Sequence, residues 1–256
     1  MLLDLNHGSG FIYGRPTQGE CPAARINALI DAGLVAEREQ PPPRDYLGAS
    51  RIGEPCARRL VYEITHAPPD EGCEVDAAAL RIFEAGHLFE RLSARWLRAA
   101  GFDLRTERRD GSQFSFSAAG GRLRGHIDGV IVDGPAIGIA WPALWEHKAP
   151  NAKSWNDLVK RGLAVSKPIY FAQVQLYMAY LEVECTLFTA LNKNTQALHH
   201  EIVAFDSAQA QVLSDKAVAI IRAAEAGELL PRIAAASDFY LCRACPYARR
   251  CWEGAP

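Results

Sequence analysis

Two carboxylates and one lysine in the middle of the chain have the types and spacing that suit phosphate chemistry. Asp128 has glycines close by on both sides, and Glu146 and Lys148 end an apolar run. Side chains two apart on a strand point to the same face, so Glu146 and Lys148 should converge. If the segment that contains Asp128 and the segment that ends at Lys148 pair as a β-hairpin through the turn at Gly134-Pro135, Asp128 lies beside Glu146 and Lys148.

Such a cluster would favour a metal ion. Two neighbouring carboxylates repel each other, so one of them tends to keep its proton. A hard divalent cation with oxygen ligands, Mg²⁺ or Mn²⁺, relieves that repulsion. The lysine could then orient a water or stabilise charge on a phosphate, as in metal-assisted phosphodiester hydrolysis. The alternative is a surface hairpin with solvated charges, but the apolar strand that leads to Glu146 favours a site.

The order of these residues resembles a known superfamily. Gly125-His126-Ile127-Asp128 followed by Glu146-His147-Lys148 is similar to the core of the PD-(D/E)xK nucleases, and the proline missing before Asp128 is also missing in many RecB-like members. The resemblance implies an α/β, restriction-endonuclease-like fold with an αβββαβ core, its mixed sheet flanked by helices. It also implies that Asp128 and Glu146 bind the metal, that Lys148 is catalytic, and that His147 offers its backbone carbonyl to the metal.

Two predicted helices add candidates to this site. The helix predicted over Asp76–Ala100 carries a G-x-x-x-E pattern, and the resemblance makes Glu90 the first additional metal ligand and His87 the second. For each, a solvated glutamate or a core histidine is the alternative. The helix predicted to start at Pro168 carries Gln173 and Tyr177, four residues apart and so on one face. This pair resembles the superfamily's last motif and a segment of lambda-type phage exonucleases, which implies a catalytic role.

A second cluster consists of cysteines near the end of the chain. Cys242, Cys245 and Cys251 follow a C-x2-C-x5-C pattern, and such soft thiolates select zinc or an iron–sulfur cluster. Either metal needs a fourth ligand, for which Cys56 is the natural candidate, although a lone buried thiol is its alternative reading. The pattern resembles AddB-type and CRISPR-associated RecB-like exonucleases. That resemblance implies a [4Fe–4S] cluster that joins the two ends of the nuclease domain, with zinc as the alternative.

The charge of the chain bears on how it would bind DNA. The net charge of −2 excludes a broadly basic nucleic-acid coat protein, so DNA contacts must lie in a local groove. We predict contacts from basic and aromatic residues near the two clusters: Arg58, Arg59, Lys153, Trp155 and Lys160. The alternative is a solvated helix face for Lys153, Trp155 and Lys160, and an ordinary amphipathic helix for Arg58 and Arg59.

The remaining sequence sets the organisation of the chain. Residues 1–47 are expected to form a partly helical extension, with a helix at Ala23–Glu39, and residues 48–256 the nuclease domain. The chain has no apolar run long enough for a membrane span and no basic signal-peptide start, so we expect a cytoplasmic protein with no membrane partner.

These patterns lead to one expected function and one alternative. We expect a stand-alone, Mg²⁺- or Mn²⁺-dependent DNA exonuclease of recombination, repair or phage replication, with DNA and recombination or replication proteins as partners. The alternative is a catalytically inactive DNA-binding or protein-interaction module, stapled by zinc or an iron–sulfur site. The sequence does not determine its oligomeric state.

Overall fold

The computed structural model describes residues 22–38 and 44–254. The strands in chain order are β1 (Leu47–Gly48), β2 (Leu104–Arg105), β3 (Ser115–Ala118), β4 (Leu123–His126), β5 (Gly129–Ile131), β6 (Ala143–Lys148), β7 (Cys185–Leu191) and β8 (Leu198–Ala204). The helices are α1 (Pro22–Glu37), α2 (Ala57–Ile64), α3 (Ala77–Ala99), α4 (Ala152–Arg161), α5 (Leu163–Ser166), α6 (Pro168–Leu181), α7 (Ser207–Ala226), α8 (Tyr240–Arg243) and α9 (Ala248–Glu253). Among the described helices, none has both the length and the apolar character needed to cross a membrane.

A five-stranded mixed sheet carries the predicted carboxylates. Its strand order is β2-β5-β6-β7-β8, with β6 and β7 parallel and the other neighbours antiparallel. Along the chain, the core elements come in the order α3, β2, β5, β6, α6 and β7. The strands β3 and β4 lie between β2 and β5, and α4, α5 and α6 form the crossover between the two parallel strands. The predicted αβββαβ core with a mixed sheet flanked by helices is therefore confirmed.

Buried side chains cover both faces of this sheet, which explains the apolar character of β6 and β7. One cluster joins Ala94 and Leu97 of α3 to Trp145. The larger cluster joins α6 and α7 to Leu144 and Phe188. Pro168 suits the first turn of α6 because proline needs no backbone N–H partner there. The sheet thus separates α3 from α6, and the two helices approach the site from different sides.

A second, three-stranded sheet, ordered β1-β4-β3, corrects part of the expected hairpin. The run Gly125–Asp133 is not one strand, because β4 ends at His126 and β5 begins at Gly129. The chain leaves one sheet and enters the other at Ile127 and Asp128. The alternation of side chains could not reveal this break, since both strands obey the same period of two. Asp128 therefore lies at a junction between two sheets.

The described chain separates into two compact units, residues 22–38 with 75–82 and residues 44–74 with 83–254. In the first, the predicted helix is present as α1, which buries none of its side chains, and Asp31 forms an ion pair with Arg81. The second contains both sheets. The triplet Pro41-Pro42-Pro43 and the first 21 residues lie outside the described residues. The boundary of an extension at residue 47 stays a prediction.

Candidate active site and cysteine cavity

The two predicted carboxylates occupy neighbouring strands. Gly129 pairs with Trp145 in the antiparallel ladder of β5 and β6, which places Asp128 next to Glu146. The backbone N–H of His147 donates to Asp128 Oδ2 at 2.8 Å. This bond holds the Asp128 carboxylate against the strand that carries the E-x-K residues. The predicted approach of Asp128 to Glu146 and Lys148 is present in the structure.

Glu146 is the most buried member of this cluster, with 1% of its surface exposed. Its Oε1 atom accepts hydrogen bonds from Lys148 Nζ and, at 2.7 Å, from Gln173 Nε2. Its Oε2 atom is buried and has no hydrogen-bond partner among the described residues. A buried carboxylate oxygen without a partner is costly, and a cation would satisfy it. The donor set therefore fits a hard divalent metal.

The pKa values of the site reflect an excess of negative charge. Burial and then the charge of Asp128 raise the pKa of Glu146 above its usual range. Burial opposes the charge on Lys148, but the facing carboxylates of Glu146 and Asp128 outweigh burial and raise the pKa of that lysine. The Glu146 carboxyl therefore tends to keep a proton that a divalent cation would displace, whereas Lys148 stays protonated.

Glu90 of α3 belongs to the same electrostatic cluster, whereas His87 does not. Burial, followed by the charge of Asp128, raises the pKa of Glu90 to about 7. Glu90 and Asp128 also line one groove together. His87 is exposed on α3 and is not among the residues that line this groove. Glu90, the first choice of the sequence argument, is therefore the better placed of the two.

Gln173 and Tyr177 extend the site across α6, as the spacing predicted. Gln173 Nε2 lies 3.2 Å from the Tyr177 hydroxyl as well as bonding Glu146. Tyr177 is 2% exposed, and burial raises its pKa. Gln175, two residues along, instead bonds the backbone of Ala204 and Asp206. Of the two glutamines, Gln173 is thus the one that faces the carboxylates.

The groove beside the carboxylates contains two arginines that the sequence argument missed. Arg91 and Arg98 of α3 line it together with Glu90 and Asp128. Arg98 donates to the backbone oxygen of Leu104 at 2.8 Å, whereas Arg91 has no hydrogen bond or ion pair to another described residue. The two arginines are seven residues apart, which is two helical turns and so the same face. That spacing, read from Glu90 onward, was the available signal.

The residues predicted to contact DNA lie in two different settings. Arg58 is buried and donates to the backbone oxygen of Leu230, and Arg59 forms ion pairs with Glu54 and Glu63. Both arginines line a cavity that also contains Cys56, Cys242, Cys245 and Cys251, and neither lines the groove beside the carboxylates.

On α4, the surroundings differ. Lys153 and Lys160 are exposed, whereas the indole N–H of Trp155 donates to the backbone oxygen of Ala190 at 3.3 Å. Lys153 and Lys160 are thus exposed to a ligand, whereas Arg58 and Arg59 hydrogen-bond or pair with other residues of the protein.

The four predicted cysteine ligands line one cavity. Cys56 stands at the start of α2, Cys242 and Cys245 lie in and after α8, and Cys251 lies in α9. Burial raises the pKa of Cys245, and the nearby thiols of Cys56 and Cys251 raise it further.

The other cysteines are placed differently. Cys73 is exposed, Cys185 is buried in β7, and Cys21 lies outside the described residues. Among residues 22–38 and 44–254, no three His, Cys, Asp or Glu side chains are already arranged to hold a metal ion. Both the Mg²⁺ or Mn²⁺ site and the cluster at the cysteines therefore stay predictions.

Comparison with solved structures agrees with the fold. An alkaline exonuclease, LHK-Exo from Laribacter hongkongensis, is similar over 78% of this chain and 93% of its own, with a TM-score of 0.52 and 17% identity. The chain has the fold of this exonuclease. The structure of LHK-Exo in complex with dAMP gives a TM-score of 0.53 at 18% identity, over 72% of this chain and 90% of that one. Neither protein-family models nor curated proteins gave a match.

Proposed function

We propose that this protein is a metal-dependent deoxyribonuclease that shortens DNA from an end. The observation that carries the proposal is the buried Glu146 carboxylate. It stands beside Asp128, Lys148 and Gln173, and its Oε2 atom lacks a partner among the described residues. The fold that this chain shares with an alkaline exonuclease supports the choice of DNA as substrate.

The residues of the site divide the work of hydrolysis. Asp128, Glu146 and Glu90 would hold Mg²⁺ or Mn²⁺, which supplies polarisation of the scissile phosphate and a lowered pKa of the attacking water. Lys148 stays protonated and stabilises the charge that grows on the phosphate oxygens. Gln173 fixes the Glu146 carboxylate through its 2.7 Å hydrogen bond. Water adds to phosphorus, the ester bond breaks, and the products are a phosphate monoester and an alcohol.

The groove of Arg91 and Arg98 gives the DNA strand a path to the carboxylates. Arginine side chains bind phosphates strongly, and those on one helix face can contact successive phosphates of a strand. The exposed lysines of α4, Lys153 and Lys160, would add sequence-independent attraction. A local basic track of this kind is compatible with the net charge of −2.

Cleavage of end-labelled DNA tests the proposal. Linear duplex and single-stranded DNA are incubated with Mg²⁺ or Mn²⁺, beside a closed circular duplex that offers no ends. We expect the linear DNA to shorten progressively and the circle to persist. Lys148→Ala should lose this activity, whereas Lys193→Ala, a lysine outside the site, should keep it. A wild-type protein that leaves every substrate intact, or a Lys148→Ala variant as active as wild type, would refute the proposal.

We also propose that Cys56, Cys242, Cys245 and Cys251 hold a [4Fe–4S] cluster, with zinc as the alternative occupant. Their common cavity supports this, because it is lined by the thiol just before α2 and by three thiols near the end of the chain. Its role would be structural, because a shared metal would tie these segments together. After anaerobic purification, we expect absorbance near 400 nm and about four irons per chain. Cys251→Ser should lose both, and the exposed Cys73→Ser should lose neither. A colourless wild-type protein that contains zinc would establish the alternative, and one with neither metal would refute both.

A further inference from the structure

A buried polar contact joins α3 to β6 on the side of the sheet that faces away from Gln173. The Ser93 hydroxyl lies 3.0 Å from Nε2 of His147. Ser93 is 2% exposed and His147 is 5% exposed. Ser93 stands three residues after Glu90, and His147 stands between Glu146 and Lys148. The contact therefore connects the helix that carries one candidate metal ligand to the strand that carries another.

His147 is linked to a second carboxylate through its backbone. Its N–H donates to Asp128 Oδ2 at 2.8 Å, while its ring reaches Ser93. The Ser93 hydroxyl can donate to Nε2 or accept from it, so the contact forms with either tautomer of the ring. A neutral imidazole has one donor and one acceptor nitrogen, and a hydroxyl can serve either one. One residue thus relates the position of Asp128 to that of α3.

Apolar side chains make up most of the groove beside this contact, and Thr189 and His200 are its other polar members. Trp145 lies beside the His147 ring, with centroids 5.7 Å apart, and Trp96 and Leu97 line the adjoining groove with Ser93. Two apolar side chains of similar shape could fill this space at little cost in stability. A directional hydrogen bond instead fixes the distance and rotation between helix and strand.

We propose that the Ser93–His147 hydrogen bond positions Glu90 so that it binds the metal together with Asp128 and Glu146. Ser93 and His147 are positioning residues in this inference, which rests on the proposed metal-dependent function. Glu90 of α3 lines the groove of Asp128, whereas Gln173 of α6 hydrogen-bonds Glu146. The contact with His147 secures α3 against the strand of Glu146, one turn from the carboxylate that must reach the metal.

Mn²⁺ binding measured by titration calorimetry without DNA tests this inference. Loss of a hydrogen bond that orients a metal ligand typically weakens metal affinity by about 10–100-fold. We expect Ser93→Ala to weaken Mn²⁺ binding about tenfold. Ser214→Ala is the matched control, because its hydroxyl also makes a 3.0 Å contact, with Tyr180, and should leave the affinity unchanged.

A double-mutant cycle separates positioning of Glu90 from a general effect on packing. If Ser93 acts through Glu90, adding Ser93→Ala to Glu90→Ala should weaken Mn²⁺ binding no further. Should Ser93→Ala fold poorly, His147→Gln and His147→Phe give a second comparison. Glutamine can keep a bond to Ser93, so it should retain more of the Mn²⁺ affinity than phenylalanine.

The outcomes distinguish this inference from the proposed function. Wild-type binding of Mn²⁺ with an unaffected Ser93→Ala variant would overturn the positioning role alone. An equal loss of affinity from Ser93→Ala with and without Glu90 would also overturn it. A wild-type protein that binds no Mn²⁺ would overturn the metal site itself, and the positioning role with it.

Discussion

The close approach of Gly53 to α6 allows one substitution to test how the site is supported. A methyl group at Gly53 would overlap the Cα atom of Ile169 and would lie 2.9 Å from its carbonyl oxygen and 3.0 Å from Ala172 Cβ. Ordinary contact begins at 3.4 Å, so even the 2.9 Å approach is about 0.5 Å too short. Because two of these atoms are backbone, rotation of a side chain cannot relieve the overlap. Either the segment at Gly53 or the start of α6 must move.

The cost of Gly53→Ala follows from two opposed effects. Gly53 does not have a positive φ, so alanine fits its backbone and would restrict the unfolded chain, a gain of about 0.4–1 kcal/mol. Overpacking typically costs about 1–3 kcal/mol and here opposes that gain. The net expectation is a loss of about 1–2 kcal/mol in the free energy of unfolding. For a chain of 256 residues this corresponds to a melting temperature lower by about 2–8 °C.

The same change should reach the active site. Ile169 is one helical turn before Gln173, whose amide bonds Glu146 at 2.7 Å. Misplacement of a positioning group by about 1 Å can cost about 10²-fold in rate. At a temperature well below melting, we therefore expect Gly53→Ala to cut DNA cleavage at least several-fold.

Gly48→Ala is the control for this substitution. The nearest atoms to a methyl group there are at 3.9 and 4.0 Å, so its stability and activity should stay close to those of wild type. Urea unfolding followed by circular dichroism, with cleavage of labelled DNA beside it, measures both effects. A Gly53→Ala protein with wild-type unfolding midpoint and rate would refute the idea that this backbone contact positions α6.

Three further predictions concern charge. With metal chelated, the melting temperature should fall as pH rises from about 5 to 8. Burial raises the pKa of Glu90 from 4.5 to about 7, so over this interval the folded state holds a proton that the unfolded chain has already released. Raising the pH therefore favours the unfolded chain. Scanning fluorimetry should show a smaller fall in Glu90→Gln, and a rise over this interval in wild type would contradict the reasoning. Tyr170→Leu removes the aromatic ring that lies 5.2 Å from Lys148 Nζ, and it should slow cleavage several-fold while Mn²⁺ binding persists. Tyr170→Phe keeps the ring and should remain active. Equal cleavage rates in the two variants would exclude a role for the ring. Arg91→Ala should weaken DNA binding and reduce by about one the slope of log affinity against log salt concentration. Arg95→Ala, at an exposed position of α3 outside the groove, should change neither quantity. Identical slopes for the two variants in a fluorescence-anisotropy titration would argue against the proposed strand path.

Local patterns in the sequence were sufficient for the main helices and for the side chains that share one face of a single helix or strand. The helix predicted to start at Pro168 is present as α6, and the helix predicted over Asp76–Ala100 is present as α3. The period of two placed Glu146 and Lys148 on one face, and the period of the helix placed Gln173 with Tyr177. These relations depend only on neighbours along the chain, which the sequence states directly.

The second sheet could not be predicted in the same way. The strand β1 has two residues, and it pairs in parallel with β4, Leu47 opposite Leu123. A two-residue strand is too short to show a periodicity. Its partner strand β4 lies far along the chain, shortly before Asp128. Which sheet a strand joins depends on such distant partners. The sequence therefore predicted the alternation of β4 and β5 but not the change of sheet at Asp128.

Arg58 shows the same limit of sequence-based prediction for a candidate functional residue. An arginine beside Arg59 and close to Cys56 was a reasonable candidate for DNA binding. In the structure it is 7% exposed, and its partner, the backbone oxygen of Leu230, lies 172 residues away in the chain.

Burial of a charged side chain is costly unless it is hydrogen-bonded, so the fold must supply such partners, and it does so from a segment with no visible pattern. Arg91 is the converse, since it shares a helix face with Arg98 and no distant partner is needed to place it on α3. Sequence patterns thus placed the residues whose neighbours lie on the same element, whereas the approach of Asp128 to Glu146 on another strand was predicted from the assumed hairpin and from the resemblance to the nuclease superfamily.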